Sequence, residues 1–306
     1  MRNSLNKPSD VRFAFFGTPQ LAVVVLEELE RAGFMPSLII TRADAPAGRG
    51  KMLTAPLTKT WGQMRDVEIA QPEKITPAFV AELAAKGPWD LFIVAAYGKI
   101  VPQSLLNIPR RGTLNLHPSL LPKLRGPSPI ISTILANENK AGVSVILLDA
   151  EMDHGPIIAQ EEVYIKEWPP HADNLEKILA HNGGMLLAEN ILPWVNGEIM
   201  SVPQNHTLAT FCKMMQKNDG YINFTGDAHQ NLLKIRALEG WPGTFTFFKR
   251  AEQVMRVQIL DAHLESNGAL TIDTVRPEGK HDMSYTDFLR SGAVPCPPPY
   301  KGDLTG

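Results

Sequence analysis

The sequence predicts an α/β protein: a first domain built on a parallel sheet layered with helices, then a smaller, barrel-like β domain. Three observations predict it. Val11–Phe16 is a nearly continuous apolar run, followed by the turn Gly17-Thr18-Pro19 and a stretch in which Leu21, Val24, Val25, Leu29 and Ala32 recur at helical spacing. Pro36–Thr41 is a second apolar run, so the chain opens strand–helix–strand, the unit of a parallel sheet. Past Pro203–Thr210, which reads as a linker, the pattern changes to short β-type runs separated by turns.

The elements follow in order. Pro19 stands at a helix start, where proline is tolerated, and Gly33 ends that helix. Thr41–Lys51 shows neither strand nor helix periodicity and reads as a long loop. Thr58–Met64 and Thr76–Ala85 read as helices around a short strand at Val67–Ala70. Leu91–Ala96 is continuously apolar, as in strands buried on both faces, and Tyr97-Gly98 turns the chain. The run Gly112–His117 is a further strand that breaks into the rigid loop Pro118–Gly126. A helix at Pro129–Ala136, strands at Gly142–Leu148 and Ile157–Tyr164, and a helix within His171–Trp194 complete the first domain. In the second, a helix at Ala228–Glu239 precedes β-type runs at Gly243–Phe248, Val254–Leu260 and Ala269–Val275, and Pro295–Gly306 reads as extended. The boundaries are placed at 1–202, a linker at 203–210, and 211–306.

Composition bounds the function. The chain has 306 residues, enough for two domains, with 44% hydrophobic and 20% charged residues. A net charge of −2 gives no global pull toward nucleic acid or membrane. Cys212 and Cys296 have no partner at ligand spacing, which argues against a disulfide framework and a structural zinc site. Met1–Asp10 is polar and no apolar run nears the roughly 18 residues of a membrane span, so a soluble, cytoplasmic protein is expected. The first turn carries one glycine rather than Gly-x-Gly-x-x-Gly, which excludes the dinucleotide fingerprint. The loop ending Gly50-Lys51 is not a phosphate-binding loop either: Ala45 stands where glycine is needed and Met52 where Ser or Thr is needed.

Three stretches carry chemistry. Asn115 and His117 lie two apart on a strand, so both side chains point to one side. A donating carboxamide beside an imidazole suits a reaction that passes through an oxyanion. In Asp149–Pro156, the groups Asp149, Glu151, Asp153 and His154 crowd one turn, and one of these acids is placed to orient the imidazole. Arg42, Arg49 and Lys51 make the Thr41–Lys51 loop basic in a chain without net basic charge, which suits a phosphate backbone.

Four motifs together resemble the 10-formyltetrahydrofolate-dependent formyltransferases, and within them the members that act on methionyl-tRNA. They are Gly17-Thr-Pro19, Ala95-Ala-Tyr-Gly98, Asn115-Leu-His-Pro-Ser-Leu-Leu-Pro122 with Arg125-Gly126, and Asp153 before Gly155. Ile235–Gly243 resembles the opening of that family's small C-terminal domain. The resemblance implies a Rossmann-like catalytic domain, an OB-like C-terminal β domain that contacts tRNA, and a catalytic trio of Asn115, His117 and Asp153. It implies a tetrahedral species with negative charge on the formyl oxygen, which Asn115 and protonated His117 would steady, while Asp153 orients His117. The proton would pass from the attacking nitrogen to the folate N10 through His117 or through a water held by Asp153. By the same analogy Ser119, Leu120, Leu121 and Pro122 border the folate, Tyr97 and Gly98 line the pterin pocket through backbone groups, and Arg42, Arg49 and Lys51 grip the tRNA. The implied partners are the folate donor and initiator methionyl-tRNA, with no metal, no membrane and a monomeric chain. An amino-sugar nucleotide is the alternative acceptor. From His206 onward 11 Lys and Arg meet 11 Asp and Glu, so a basic tRNA surface there would have to be local, around Lys213, Lys217, Lys234, Arg236, Lys249 and Arg250.

Overall fold

The computed structural model describes residues 5–47 and 52–299. The first strand, β1 (Phe13–Gly17), is fully buried, and Pro19 caps helix α1 (Gln20–Arg31). Strands β2 (Leu38–Ile40), β3 (Ala45–Ala47) and β4 (Met52–Thr54) precede helix α2 (Leu57–Gln63). Then come β5 (Glu68–Ala70), α3 (Pro77–Ala85), β6 (Leu91–Ala95), the short α4 (Gln103–Leu106) and β7 (Thr113–His117). Helix α5 (Pro129–Leu135), strands β8 (Ala141–Leu147) and β9 (Ile157–Val163) and the long α6 (Ala172–Asn196) follow. The remainder holds α7 (Ala228–Ala237), β10 (Thr244–Arg250), β11 (Gln253–Leu264), β12 (Leu270–Pro277), β13 (Met283–Ser284), α8 (Tyr285–Leu289) and β14 (Val294–Cys296).

Seven strands form one sheet in the order β5-β2-β1-β6-β7-β8-β9. It is parallel from β5 to β7, as the strand–helix–strand opening requires, but β8 and β9 run antiparallel. The connection between β8 and β9 is too short for the crossover a parallel pair needs, so the parallel sheet that the sequence predicts carries an antiparallel edge there. One correction concerns Thr41–Lys51. Rather than a plain loop, the segment contains β3, which pairs antiparallel with β4 from Ala45↔Thr54 to Ala47↔Met52. Each strand has three residues, too few for alternation to register in the sequence. The ribbon's base is pinned by Asp44, whose carboxylate accepts from Lys59 Nζ at 2.8 Å and Gln71 Nε2 at 2.7 Å.

Two compact units divide the chain: Met1–Pro127 with Lys140–Tyr164 and Glu176–Phe211, and Ser128–Asn139 with Ile165–Leu175 and Cys212–Gly306. The second contains the five-stranded antiparallel sheet β13-β12-β11-β10-β14, with Phe248 and Phe288 edge to face at its core, 4.9 Å between centroids. Several of its basic side chains are paired: Lys213 with Asp219, Arg236 with Asp261, and Lys249 with Glu252.

In the first unit, helix α6 decides which way β7 faces. Asn182-Gly183-Gly184 sits in mid-helix, where each glycine costs about 1 kcal/mol relative to alanine. The compensation is close approach. A Cβ on Gly183 would lie 2.7 Å from a Leu116 methyl, and one on Gly184 would lie 2.7 Å from the Glu28 Cβ on α1. Leu116 therefore points at α6, and by strand alternation Asn115 and His117 point to the opposite face.

Two expectations follow. Gly183→Val must displace Leu116 and should destabilise the protein by about 1–3 kcal/mol, read as a lower urea midpoint. The Asp44 carboxyl is held below its ordinary value, first by the Gln71 amide and then by Lys59, so a carbon-13 carboxyl titration should give a midpoint under 3.8. Because the folded value is depressed, this contact contributes above the ordinary carboxylate range and is lost as pH falls through the folded midpoint. Lys59→Ala should move the midpoint upward.

Candidate active site

Ligand sites in open α/β sheets lie at the carboxyl ends of the strands, where strand order reverses. Here the reversal falls between β1 and β6, and Gly17-Thr18 and Ala96–Gly98 face each other across it. Arg42 follows β2, the Tyr97-Gly98 turn follows β6, and Asn115 and His117 end β7. Most sequence-predicted site residues thus share one edge of the sheet.

The centre is on β7. Asn115 and His117 are 8% and 4% exposed, in register with Ile146 and Ser144 of β8. The Asn115 carboxamide has no hydrogen-bond partner among the described residues, which leaves its donor available. Each His117 nitrogen faces a partner. Nε2 lies 3.0 Å from the Leu124 carbonyl, and because a carbonyl only accepts, Nε2 carries a proton. Nδ1 faces Asp153 Oδ1 at 3.6 Å, beyond ordinary hydrogen-bond length. The structure therefore brings together the imidazole and the carboxylate drawn from separate segments.

Asp153 is held as firmly. Its other oxygen accepts from the Gly126 backbone N–H at 2.8 Å, and its backbone is left-handed with φ +50°. Gly155, two residues on, passes so close to β8 that an added Cβ would sit 1.8 Å from the Leu147 carbonyl oxygen, which only glycine avoids. The other acids of this turn act elsewhere: Asp149 accepts from His154 Nδ1 at 2.7 Å and from the Glu151 N–H at 3.0 Å. Among the described residues no group of three or more His, Cys, Asp or Glu is arranged to hold a metal ion.

The loop after His117 is braced from β8 and β9. Ser144 Oγ donates to the Ser119 carbonyl at 2.6 Å and accepts from the Leu121 N–H at 3.1 Å, while Gln160 Nε2 donates to the Leu121 carbonyl at 2.8 Å. The Ser119 hydroxyl donates to the Lys123 carbonyl at 2.7 Å. Leu121 is buried, and Leu120 and Pro122 are half-buried.

Tyr97 and Gly98 split into side chain and backbone. The Tyr97 ring is 1% exposed, edge-on to Phe16, and burial pushes its phenol above the ordinary value. Among the described residues its hydroxyl has no partner, so the ring is core and Tyr97 presents only main-chain groups to the turn. Gly98 is left-handed at φ +70°, and its carbonyl accepts from Arg42 Nη2 at 2.6 Å. Arg42 thus sits against the Tyr97-Gly98 turn. Arg49 and Lys51 lie outside the described residues.

Of the polar groups that tie the site together, sequence reasoning quoted Arg125 within a motif without giving it this role, and missed Gln204 and His206. The last two fall in the stretch read as linker, yet Gln204 is 5% exposed and Arg125 4%. Nothing periodic marks them, because they are ordered by hydrogen bonds to loops rather than by an α-helix or strand.

Comparison with known proteins places these observations in a family. Residues 11–191 match the formyl transferase family and residues 214–267 its C-terminal domain. A methionyl-tRNA formyltransferase of Roseiflexus sp. (strain RS-1) is 37% identical over 303 residues, covering 92% of each chain. One from Acetivibrio thermocellus is 35% identical over 274 residues, 89% of this chain and 87% of that one. Among solved structures, an N-formyltransferase from Helicobacter canadensis, in complex with folinic acid and dTDP-3-aminofucose, superposes with TM-score 0.61 at 20% identity, covering 83% of this chain and 88% of that one. A sugar N-formyltransferase from a Shewanella species gives 0.58 at 18%, with 86% and 96% covered. At such identities the two structures share a fold with this chain, whereas the sequence matches go further: the chain belongs to the formyl transferase family.

Proposed function

We propose that the chain transfers a formyl group from 10-formyltetrahydrofolate to the amino group of initiator methionyl-tRNA, as a monomer in the cytoplasm. The observation that carries the chemistry is the unpartnered Asn115 carboxamide beside an imidazole fixed between the Leu124 carbonyl and the Asp153 carboxylate. The acceptor is argued from the relatives, which at 32–40% identity are named for methionyl-tRNA. No described helix is long and apolar enough to cross a membrane.

The donor set fits such a substrate pair. When bound, the folate supplies a formyl carbon open to attack by an amine: the new C–N bond forms, the bond to the folate N10 breaks, and the proton lost by the amine ends on that departing nitrogen. Asn115 donates to the formyl oxygen as negative charge builds there, a contact stronger in the transition state than before it. His117 keeps Nε2–H on the Leu124 carbonyl, so proton traffic falls to Nδ1, which faces Asp153. Asp153, anchored by the Gly126 N–H, keeps that nitrogen in place. The main chain of Tyr97 and Gly98 and the loop Ser119, Leu120, Leu121 and Pro122 border the folate.

For the acceptor, Arg42, Arg49 and Lys51 meet tRNA phosphates, contacts that position without reading sequence. Domain 211–306, joined to catalytic domain 1–202 by linker 203–210, adds a second tRNA contact. Pairs such as Lys213 with Asp219 leave it little net field, so its share of the affinity is small and salt-sensitive.

The test offers 10-formyltetrahydrofolate with either charged initiator tRNA or an amino-sugar nucleotide. Formylation of the tRNA is expected; formylation of the sugar alone would overturn the reading. Asn115→Ala should lower kcat by about 100- to 1,000-fold while leaving the folate KM within a few-fold, since one oxyanion donor is worth about 2.7–4 kcal/mol. An equal loss in folate binding would remove Asn115 from that role.

A further inference from the structure

We propose that Gln204, gripped by the buried Arg125, is a positioning residue that holds the Asp153 backbone so that its carboxylate meets His117. The site is built from two loops that meet where the Gly126 N–H donates to Asp153. One, 118–126, carries the Leu124 carbonyl and the Gly126 N–H; the other, 149–156, carries Asp153. Gln204 joins them. Its Nε2 donates to the carbonyls of Asp153 at 2.9 Å and Gly155 at 2.7 Å, and its Oε1 accepts from Arg125 Nη2 at 2.7 Å and Nε at 3.2 Å. All four distances fall in the hydrogen-bonding range, and the side chain is 5% exposed.

Arg125 is itself fixed from the same segment. Its backbone N–H donates to the Thr210 carbonyl at 2.9 Å, and the Leu124 N–H donates to Thr210 Oγ1 at 2.9 Å. Arg125 Nη2 also lies 2.8 Å from His206 Nδ1. A guanidinium only donates, so that nitrogen is an acceptor and His206 is neutral in this arrangement. His206 in turn stacks on His154, 4.1 Å between centroids and 5° from parallel, and His154 pairs with Asp149. The segment 204–210 therefore braces both loops, and the left-handed backbone of Asp153 has a tie on its own carbonyl. Gln204 touches no reacting atom in this account; it acts through Asp153.

The activity readout rests on the formyl-transfer reading, so a second readout stands apart from it. In the full chain, Gln204→Leu removes every contact, and the near-isosteric Gln204→Glu keeps the acceptor for Arg125 but loses the donors to the two carbonyls. Both should lower kcat by about 10- to 100-fold, the scale of a misplaced catalytic group, with the folate KM within about twofold. In an Asp153→Asn background the same changes should cost less than about twofold more, because residues acting as a unit are not additive. Losses that multiply in the double variants, or a KM effect without a kcat effect, would overturn the proposal. Independently of turnover, nitrogen-15 side-chain signals of His117 should shift in Gln204→Glu, and an unchanged His117 spectrum would equally overturn it. If the wild-type chain formylates nothing, the function proposed above fails, and the His117 spectra alone decide the role of Gln204.

Discussion

The contact on which the site depends is the approach of the Asp153 carboxylate to His117 Nδ1 at 3.6 Å. Neither partner is placed by its own secondary structure alone. His117 closes a strand whose facing is dictated by Leu116 against α6, and Asp153 sits in a turn that bends left-handed. Each is then fixed by a main-chain group of the intervening loop: the Leu124 carbonyl on the imidazole and the Gly126 N–H on the carboxylate. Two loop residues thus set the tautomer of one and the aim of the other, a precision that side-chain rotamers alone do not supply.

The sheet explains why the loop can be so exact. Its antiparallel extension, β8 and β9, contributes Ser144 and Gln160, whose side chains bind main-chain groups between Ser119 and Leu121. A purely parallel sheet would end at β7 and leave that loop without such a neighbour. The mixed sheet is thus part of the site, and the buried Ser144 is best understood as a brace rather than a spare hydroxyl.

Arg42 shows how one sheet edge can serve two purposes. It belongs to the basic segment assigned to the nucleic acid, yet its guanidinium lies on the Gly98 carbonyl, beside the turn assigned to the folate. Under the function proposed here, a single residue there would link the acceptor side of the edge to the donor side.

Sequence alone determined most of the longer elements and their order, because hydrophobic periodicity and the proline and glycine punctuation are local signals. It also determined that Asn115 and His117 share a side, since strand alternation is a property of the backbone. The family motifs sit within short windows and were legible for the same reason. Tertiary structure decided what depends on neighbours remote in the chain: the antiparallel direction of β8 and β9, the ribbon formed by β3 and β4, and the burial of the Tyr97 ring in the core. It decided as well that Gln204, some fifty residues beyond Asp153, is bonded to it. Hydrogen bonds between loops carry no period, so only the folded chain reveals them.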